Sequence, residues 1–240
     1  MNLESLAVSG DRILDRRIRD ASNYCDSGHL FRMTSGIARL VLSELSPIDL
    51  DGHRDFTVIA NVEQPLSGKP GYNRDSFFKV SFYNLDRKTS QALYQFRKPD
   101  EAFCLYAAGL LLDVLAEADQ ASGGKNHLPE RREEILSRLR ACGFQKDILL
   151  KSFSKASQNR KYKALVYRCL DARAGEALRV DLIRRSSGEI LASKWMTARP
   201  STVFQASLIF RTYWKEGRFH LIQGKREPRT DAFIDVPAGE

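Results

Sequence analysis

Apolar and polar residues change places with a short period over Gly36–Leu45, Phe56–Gln64, Phe77–Leu85 and Ser90–Lys98, which predicts four strands in the first half of the chain. The Pro, Gly and Asp residues of Ser46–Asp55 mark a loop between the first two, and Gly68, Pro70 and Gly71 make Pro65–Asp75 a long hairpin connection. The run Ala102–Leu112 is apolar all round and belongs to a predicted buried helix, Asp100–Asp119; with 11 residues it is too short to span a bilayer. After a polar linker at Gln120–Asn126, two helices are expected, Pro129–Ala141 and Gln145–Ser154, split by Gly143 and buried through Leu136, Leu139, Ile148, Leu149 and Phe153. Alternation returns at Tyr162–Leu170, Glu176–Arg185 and Glu189–Ala198, followed by a predicted helix Ser201–Lys215, a strand Phe219–Gln223 and a charged, mobile tail Gly224–Glu240. At the other end, Leu3, Leu6, Ile13, Leu14 and Ile18 have loosely helical spacing, so Met1–Asp20 reads as a peripheral helix.

The second half echoes the first. Sliding the chain by 100 residues pairs Val80 with Val180 and Ala92 with Ala192, and one further residue pairs Pro99 with Pro200 and Phe103 with Phe204. Each of 77–116 and 177–216 then has two apolar alternating runs, Pro and an apolar helix, the order a duplicated unit leaves. The expected fold is therefore α+β, with two similar antiparallel sheet-plus-helix modules, 37–119 and 158–223. A helical hairpin at 120–157 joins them, a peripheral segment 1–36 precedes them and a tail 224–240 follows.

Charge separates the halves more sharply than pattern does. Of the net +8, residues 151–230 carry 18 Lys or Arg against six Asp or Glu, a net +12 that leaves −4 for the remainder. Such a stretch suits a polyanionic partner, nucleic acid before membrane; a plain soluble basic surface has the same composition. Cys25, Cys104, Cys142 and Cys169 form no CxxC pair, so neither a zinc ribbon nor a disulfide framework is signalled. With no apolar signal stretch in residues 1–30, a reducing cytoplasmic location is expected.

Strand periodicity also sorts candidate chemistry. In Glu176–Arg185, Leu178, Val180 and Leu182 share one face while Arg179, Asp181, Ile183 and Arg185 share the other; in Tyr162–Leu170, Lys163, Leu165 and Tyr167 alternate with Ala164, Val166 and Arg168. With Lys161, Lys194 and Trp195 nearby, cations and rings gather on one sheet surface, the arrangement in which cations follow phosphates and rings stack on bases. Core aromatics with lysines at solvated edges satisfy the same pattern. The layout of strands and then a helix, twice over residues 37–223, resembles the tandem sheet-plus-helix units of the Whirly and PUR single-stranded nucleic-acid binders, and that resemblance implies a non-enzymatic binder. The candidate contact residues are Lys161, Lys163, Tyr167, Arg168, Arg179, Arg185, Lys194 and Trp195.

Three further readings come from other segments. The helix pair around Gly143, with Arg140, Lys146 and Lys151, has a helix-turn-helix outline, although Leu139 stands where that motif prefers a small residue. Free sheet surfaces and edges would dock a protein subunit or a second copy of the chain. Asp49, Asp51, His53 and Asp55 form the densest polar cluster and could hold Mg²⁺ or Mn²⁺ for a nuclease; a solvated turn uses the same residues. Neither a nucleophile with an adjacent base nor a GxxxxGK[ST] phosphate loop occurs, so no catalytic residue and no cofactor is expected.

Overall fold

A strand opens the chain where a helix was expected. In Ser5–Ser9 (β1), Leu6 and Val8 lie two residues apart, are both buried, and pair in parallel with Phe56 and Val58 of Asp55–Ile59 (β2). This local period of two outweighs the looser helical spacing. The computed structural model describes residues 3, 5–9, 29–45, 47–50, 52, 55–60, 71–75, 80–197, 209–224 and 229–237. The rest of the expected N-terminal helix lies outside them.

His29–Leu45 (α1) is a helix that includes the predicted strand Gly36–Leu45. Leu30, Met33, Ile37, Leu40, Val41 and Leu45 recur at steps of three and four and are buried, a repeat that a window starting at Gly36 truncates. Gly36 itself is required by closeness, since a Cβ there would stand 2.4 Å from the Asp171 carbonyl oxygen and 2.7 Å from that of Ala172. Gly71–Asp75 (β3) and Val80–Asn84 (β4) complete a sheet of order β1-β2-β4-β3, parallel in its first three members and antiparallel between β4 and β3.

The predicted strand Ser90–Lys98 is also corrected, because Arg87–Gln95 forms helix α2. Asp86 caps it, accepting from the Thr89 amide at 2.9 Å and the Thr89 hydroxyl at 2.7 Å, and Ser90, Leu93 and Tyr94 form its buried stripe. Helix Glu101–Ala121 (α3) stands where expected, capped by Asp100, with Phe103, Ala107, Leu111 and Leu115 buried and with α1 and Leu128–Ala141 (α4) packed against it. The buried Asp119 carboxylate of α3 accepts from the Asn126 amide (3.1 Å), Asn126 Nδ2 (2.6 Å) and the Leu128 amide (3.3 Å), holding the loop into α4.

The second expected helix, Gln145–Ser154, does not form. Gly143 and Phe144 take positive φ of 61° and 56°, and their amides bond to the carbonyls of Arg140 and Leu139 at 2.9 Å, hooking the chain out of the helix. Gln145–Leu149 is then a strand (β5) whose side chains alternate in exposure. The expected helical hairpin and the helix-turn-helix outline are both lost.

Residues up to Gln145 with Asp171–Arg173 make one compact unit; Lys146–Leu170 and the chain from Ala174 make the other. The described part of the second unit is built from strands. Lys155–Ala156 (β6), Tyr162–Asp171 (β7), Gly175–Arg184 (β8) and Ile190–Trp195 (β9) join β5 in a five-stranded sheet of order β5-β7-β8-β9, with β6 on β7. Ile209–Lys215 (β10), Arg218–Gln223 (β11) and Thr230–Asp235 (β12) form an antiparallel meander. The inner faces enclose one core: Ala164, Val166, Leu178, Val180 and Leu182 from the larger sheet meet Ile209, Phe219, Leu221 and Ile234 from the smaller.

The expected helix Ser201–Lys215 is a strand from Ile209 on, and residues 201–208 lie outside the described residues. Its hairpin closes on Glu216 (φ 49°) and Gly217 (φ 76°), the paired positive φ of a tight β-turn, and β12 occupies part of the expected mobile tail. The two echoing segments thus differ, Arg87–Gln95 being a helix while Ile190–Trp195 is a strand. Among the described residues, neither the duplication nor the repeated strands-then-helix layout of the Whirly and PUR comparison is confirmed. The class is mixed α+β, with four helices and three sheets among the described residues. No helix among them is long and apolar enough to cross a membrane.

Candidate functional site

The alternation read from the sequence holds along β8. Leu178, Val180 and Leu182 point into the core, which turns Arg179, Asp181 and Ile183 to the outer face. Register sets Arg179 opposite Trp195 of β9, and the guanidinium carbon lies 5.0 Å from the Tyr167 ring centre and 5.8 Å from that of Trp195. Three planar groups on three adjacent strands therefore form one cluster, with Trp195 43% exposed.

Two carboxylates fix the middle member. Arg179 Nη1 donates to Asp147 Oδ2 at 2.9 Å, Nε to Asp181 Oδ1 at 3.1 Å and Nη2 to Asp181 Oδ2 at 3.3 Å, and the Ser193 hydroxyl adds a 2.7 Å bond to Asp181. Burial acts against the Arg179 charge, but Asp147 and Asp181 outweigh it and raise its pKa. The guanidinium is thus a held plane whose charge is already balanced. It suits stacking better than phosphate neutralisation.

The other candidates separate around this cluster. Lys163 alternates with the core residues Ala164 and Val166 along β7 and shares the outer face with Tyr167. Lys161 and Arg185, both exposed, meet at the strand ends, where the Arg185 amide donates to the Lys161 carbonyl at 2.9 Å. Arg168 is drawn instead to the fully buried Glu176, at 2.9 Å. Lys194 leaves the face altogether: its Nζ donates to the Phe233 carbonyl of β12 at 2.8 Å and lies 4.9 Å from the Phe233 ring centre.

The smaller sheet carries a second ring group that sequence reasoning missed. Tyr213, His220 and Phe233 are direct partners across β10, β11 and β12. Tyr213 and His220 stack at 4.7 Å with planes 3° apart, Phe233 follows at 5.8 Å, and Asp231 accepts at His220 Nδ1 at 3.1 Å. The Arg211 guanidinium lies 5.2 Å from the Tyr213 ring and that of Arg218 4.8 Å from Phe233. The Glu216–Gly217 turn between two alternating runs was the sequence signal for this hairpin, hidden by the expectation of a helix Ser201–Lys215 before the strand Phe219–Gln223, while β12 lay in the expected tail.

The proposed metal cluster is not assembled by the described residues. Asp49 uses Oδ1 to accept from the Gly52 amide at 2.8 Å, a bond that lowers its pKa, while Asp51 and His53 lie outside the described residues. No group of three or more His, Cys, Asp or Glu side chains among the described residues could hold a metal ion. In the first unit a groove of about 630 Å³ runs beside α3 and α4, lined by Leu105, Leu110 and Leu136, and the charge of its Arg132 is met by Asp113 and Glu133. No protein-family model matches this chain, and no curated protein or solved structure is significantly similar to it.

Proposed function

We propose that the second unit binds single-stranded nucleic acid, DNA or RNA, on the outer face of its five-stranded sheet. The observation that carries this reading is the alignment of Tyr167, Arg179 and Trp195 across three adjacent strands, two rings and a guanidinium plane held by Asp147 and Asp181. Bases stack on such groups whatever their identity, at about 1–3 kcal/mol each. Phosphates fall to the cations that the carboxylates leave over: Lys163 on the same face, Lys161 and Arg185 at the strand ends, and the +12 excess of residues 151–230.

The test is retention of labelled single- and double-stranded oligonucleotides over a salt series, with and without Mg²⁺, read together with tryptophan fluorescence. The chain has two tryptophans, and Trp214, though it packs edge-on against Phe219 of the core, is only half-buried, so the titration is run in a Trp214→Phe background where quenching reports Trp195. Retention of single strands that weakens steeply with salt and quenches Trp195 is expected. Absence of retention at low salt, or retention indifferent to salt, removes the reading. A second reading, docking of a protein subunit, draws on the balanced charge around Arg179 and on exposed Leu149 and Ile190. It predicts a self-association or partner complex that buries Trp195 while no oligonucleotide is retained.

A further inference from the structure

Trp195 and Lys194 are neighbours on β9 and serve different sheets. Trp195 belongs to the Arg179 cluster, whereas Lys194 crosses to β12, where its Nζ bonds the Phe233 carbonyl and covers the Phe233 ring. From Phe233 the row continues through His220 and Tyr213 to Arg211 on β10. The two ring groups thus come together at the β9–β12 seam from opposite faces of β9, Trp195 opposing Arg179 on the outer face and Lys194 opposing the core residue Val180, so a chain leaving the first would turn round the β9 edge to reach the second.

The two ring groups offer different chemistry. On the larger sheet the cation is balanced by Asp147 and Asp181, and Trp195 is exposed. On the smaller sheet Tyr213 and His220 turn their faces on each other, which occupies the surfaces a base would use, but the cations at the two ends of the row are open. Lys194 and Arg211 contact rings and, for Lys194, one carbonyl; neither has a carboxylate partner among the described residues.

Resting on the single-strand reading, we propose that the strand does not stop at the seam but passes onto β10–β12, where Lys194 and Arg211 each take a backbone phosphate. The ring row acts as the spacer that fixes their separation. The larger sheet stacks bases, and the smaller one clamps the backbone.

The experiment compares a short single strand, limited to the few nucleotides that quench Trp195, with one several times longer, each titrated over a salt series. Lys194→Gln with Arg211→Gln is set against wild type and against a charge control in the first unit, Lys88→Gln with Lys98→Gln. For the long strand the double variant lowers the slope of log affinity against log salt by about 1.4, since each single-strand phosphate contributes about 0.7. For the short strand, affinity and Trp195 quenching stay as in wild type. Arg211→Gln alone, lowering the slope by about 0.7, replaces the double variant if that fails to fold. An unchanged slope for the long strand, an equal loss on the short strand, or an equal loss in the charge control overturns the extended track while leaving the first binding face in place. If wild type retains neither strand, the single-strand reading itself falls, and the two failures are told apart.

Discussion

Both units bury carboxylates, and they employ them in opposite ways. In the first, Asp119 is fully buried and accepts from Asn126 and from the Leu128 amide, while the Asn126 side chain bonds both the amide and the carbonyl of Asp49, at 3.0 and 2.8 Å. Every partner there is backbone or a bridge to backbone, so the charge serves loop closure. In the second unit, Glu176 and Asp181 are as deeply buried, but their partners are Arg168 and Arg179, long side chains that keep part of their surface outside. The same residue type closes loops in one unit and aims cations in the other. Polar substitutions in the first unit therefore register as stability, and those on the outer faces of the second as binding.

The largest effect that tests this contrast is at Asp119. Asp119→Ala strands the Asn126 and Leu128 amides in a buried loop, and a loss of about 3 kcal/mol is expected in urea unfolding. Asp119→Asn falls between, because its amide group meets the Leu128 N–H. A change within about 0.5 kcal/mol for Ala would mean that the loop finds other partners and that the contrast between units is false. Next comes Gly36→Ala. Helix propensity alone favours Ala by roughly 1 kcal/mol, whereas a Cβ at 2.4 Å from the Asp171 carbonyl oxygen forces backbone apart, and a net loss of about 2 kcal/mol is expected. A stabilised variant would show that the approach of residues 171–172 to α1 is not as drawn.

A smaller effect concerns the cap of α2. Hydrogen bonds from the Thr89 hydroxyl and amide hold the Asp86 carboxyl below the usual carboxylate range. A carboxyl lowered on folding stabilises fully above its unfolded pKa and loses that contribution as pH falls through its folded value. Asp86→Ala is thus expected to cost about 1 kcal/mol at neutral pH and progressively less in acid, read as converging urea midpoints of the two proteins. A gap that stays constant down to the acid limb would assign the loss to something other than the ionised cap.

What the sequence yielded and withheld follows from the range over which each signal acts. The helix α3 and strands β7, β8 and β9 were legible because their patterns are long and locally complete: Asp100 marks the start of one, and the alternation of Leu178, Val180 and Leu182 needs no partner to be read. The helix α2 was misread although Asp86 and Thr89 stand at capping distance, because its short apolar stripe of Leu93 and Tyr94 also fits a strand. At β5 the deciding event is a left-handed Phe144, a conformation that its side chain does not advertise. The site divides in the same way. Tyr167 and Arg179 were found from single-strand periodicity and Trp195 from its place in the next predicted strand, but the ion pair to Asp147 was hidden once Gln145–Ser154 was taken for a helix. The ring row of Tyr213, His220 and Phe233 depends on register among three strands, two of which lay partly or wholly in segments read otherwise.

The smallest stability effect belongs to Trp195, and there the contrast is sharpest. Its ring is 43% exposed and opposes Arg179, whose guanidinium remains tied to Asp147 and Asp181 when the ring is gone. Trp195→Leu keeps an apolar side chain on β9 and is expected to shift the unfolding free energy by no more than about 0.5 kcal/mol. Arg179→Ala is a poorer probe than its place on an outer face suggests, because it would leave the buried Asp181 facing only Ser193 among its present side-chain partners. If Trp195 stacks one base, its loss weakens single-strand affinity about ten-fold, the equivalent of about 1.4 kcal/mol, and leaves the salt slope unaltered because no phosphate contact is removed. A variant that binds as tightly as wild type shows that the ring is not a stacking platform. One that loses 2 kcal/mol or more of stability shows that Trp195 belongs to the framework, and the division of labour between the two units would then have to be redrawn.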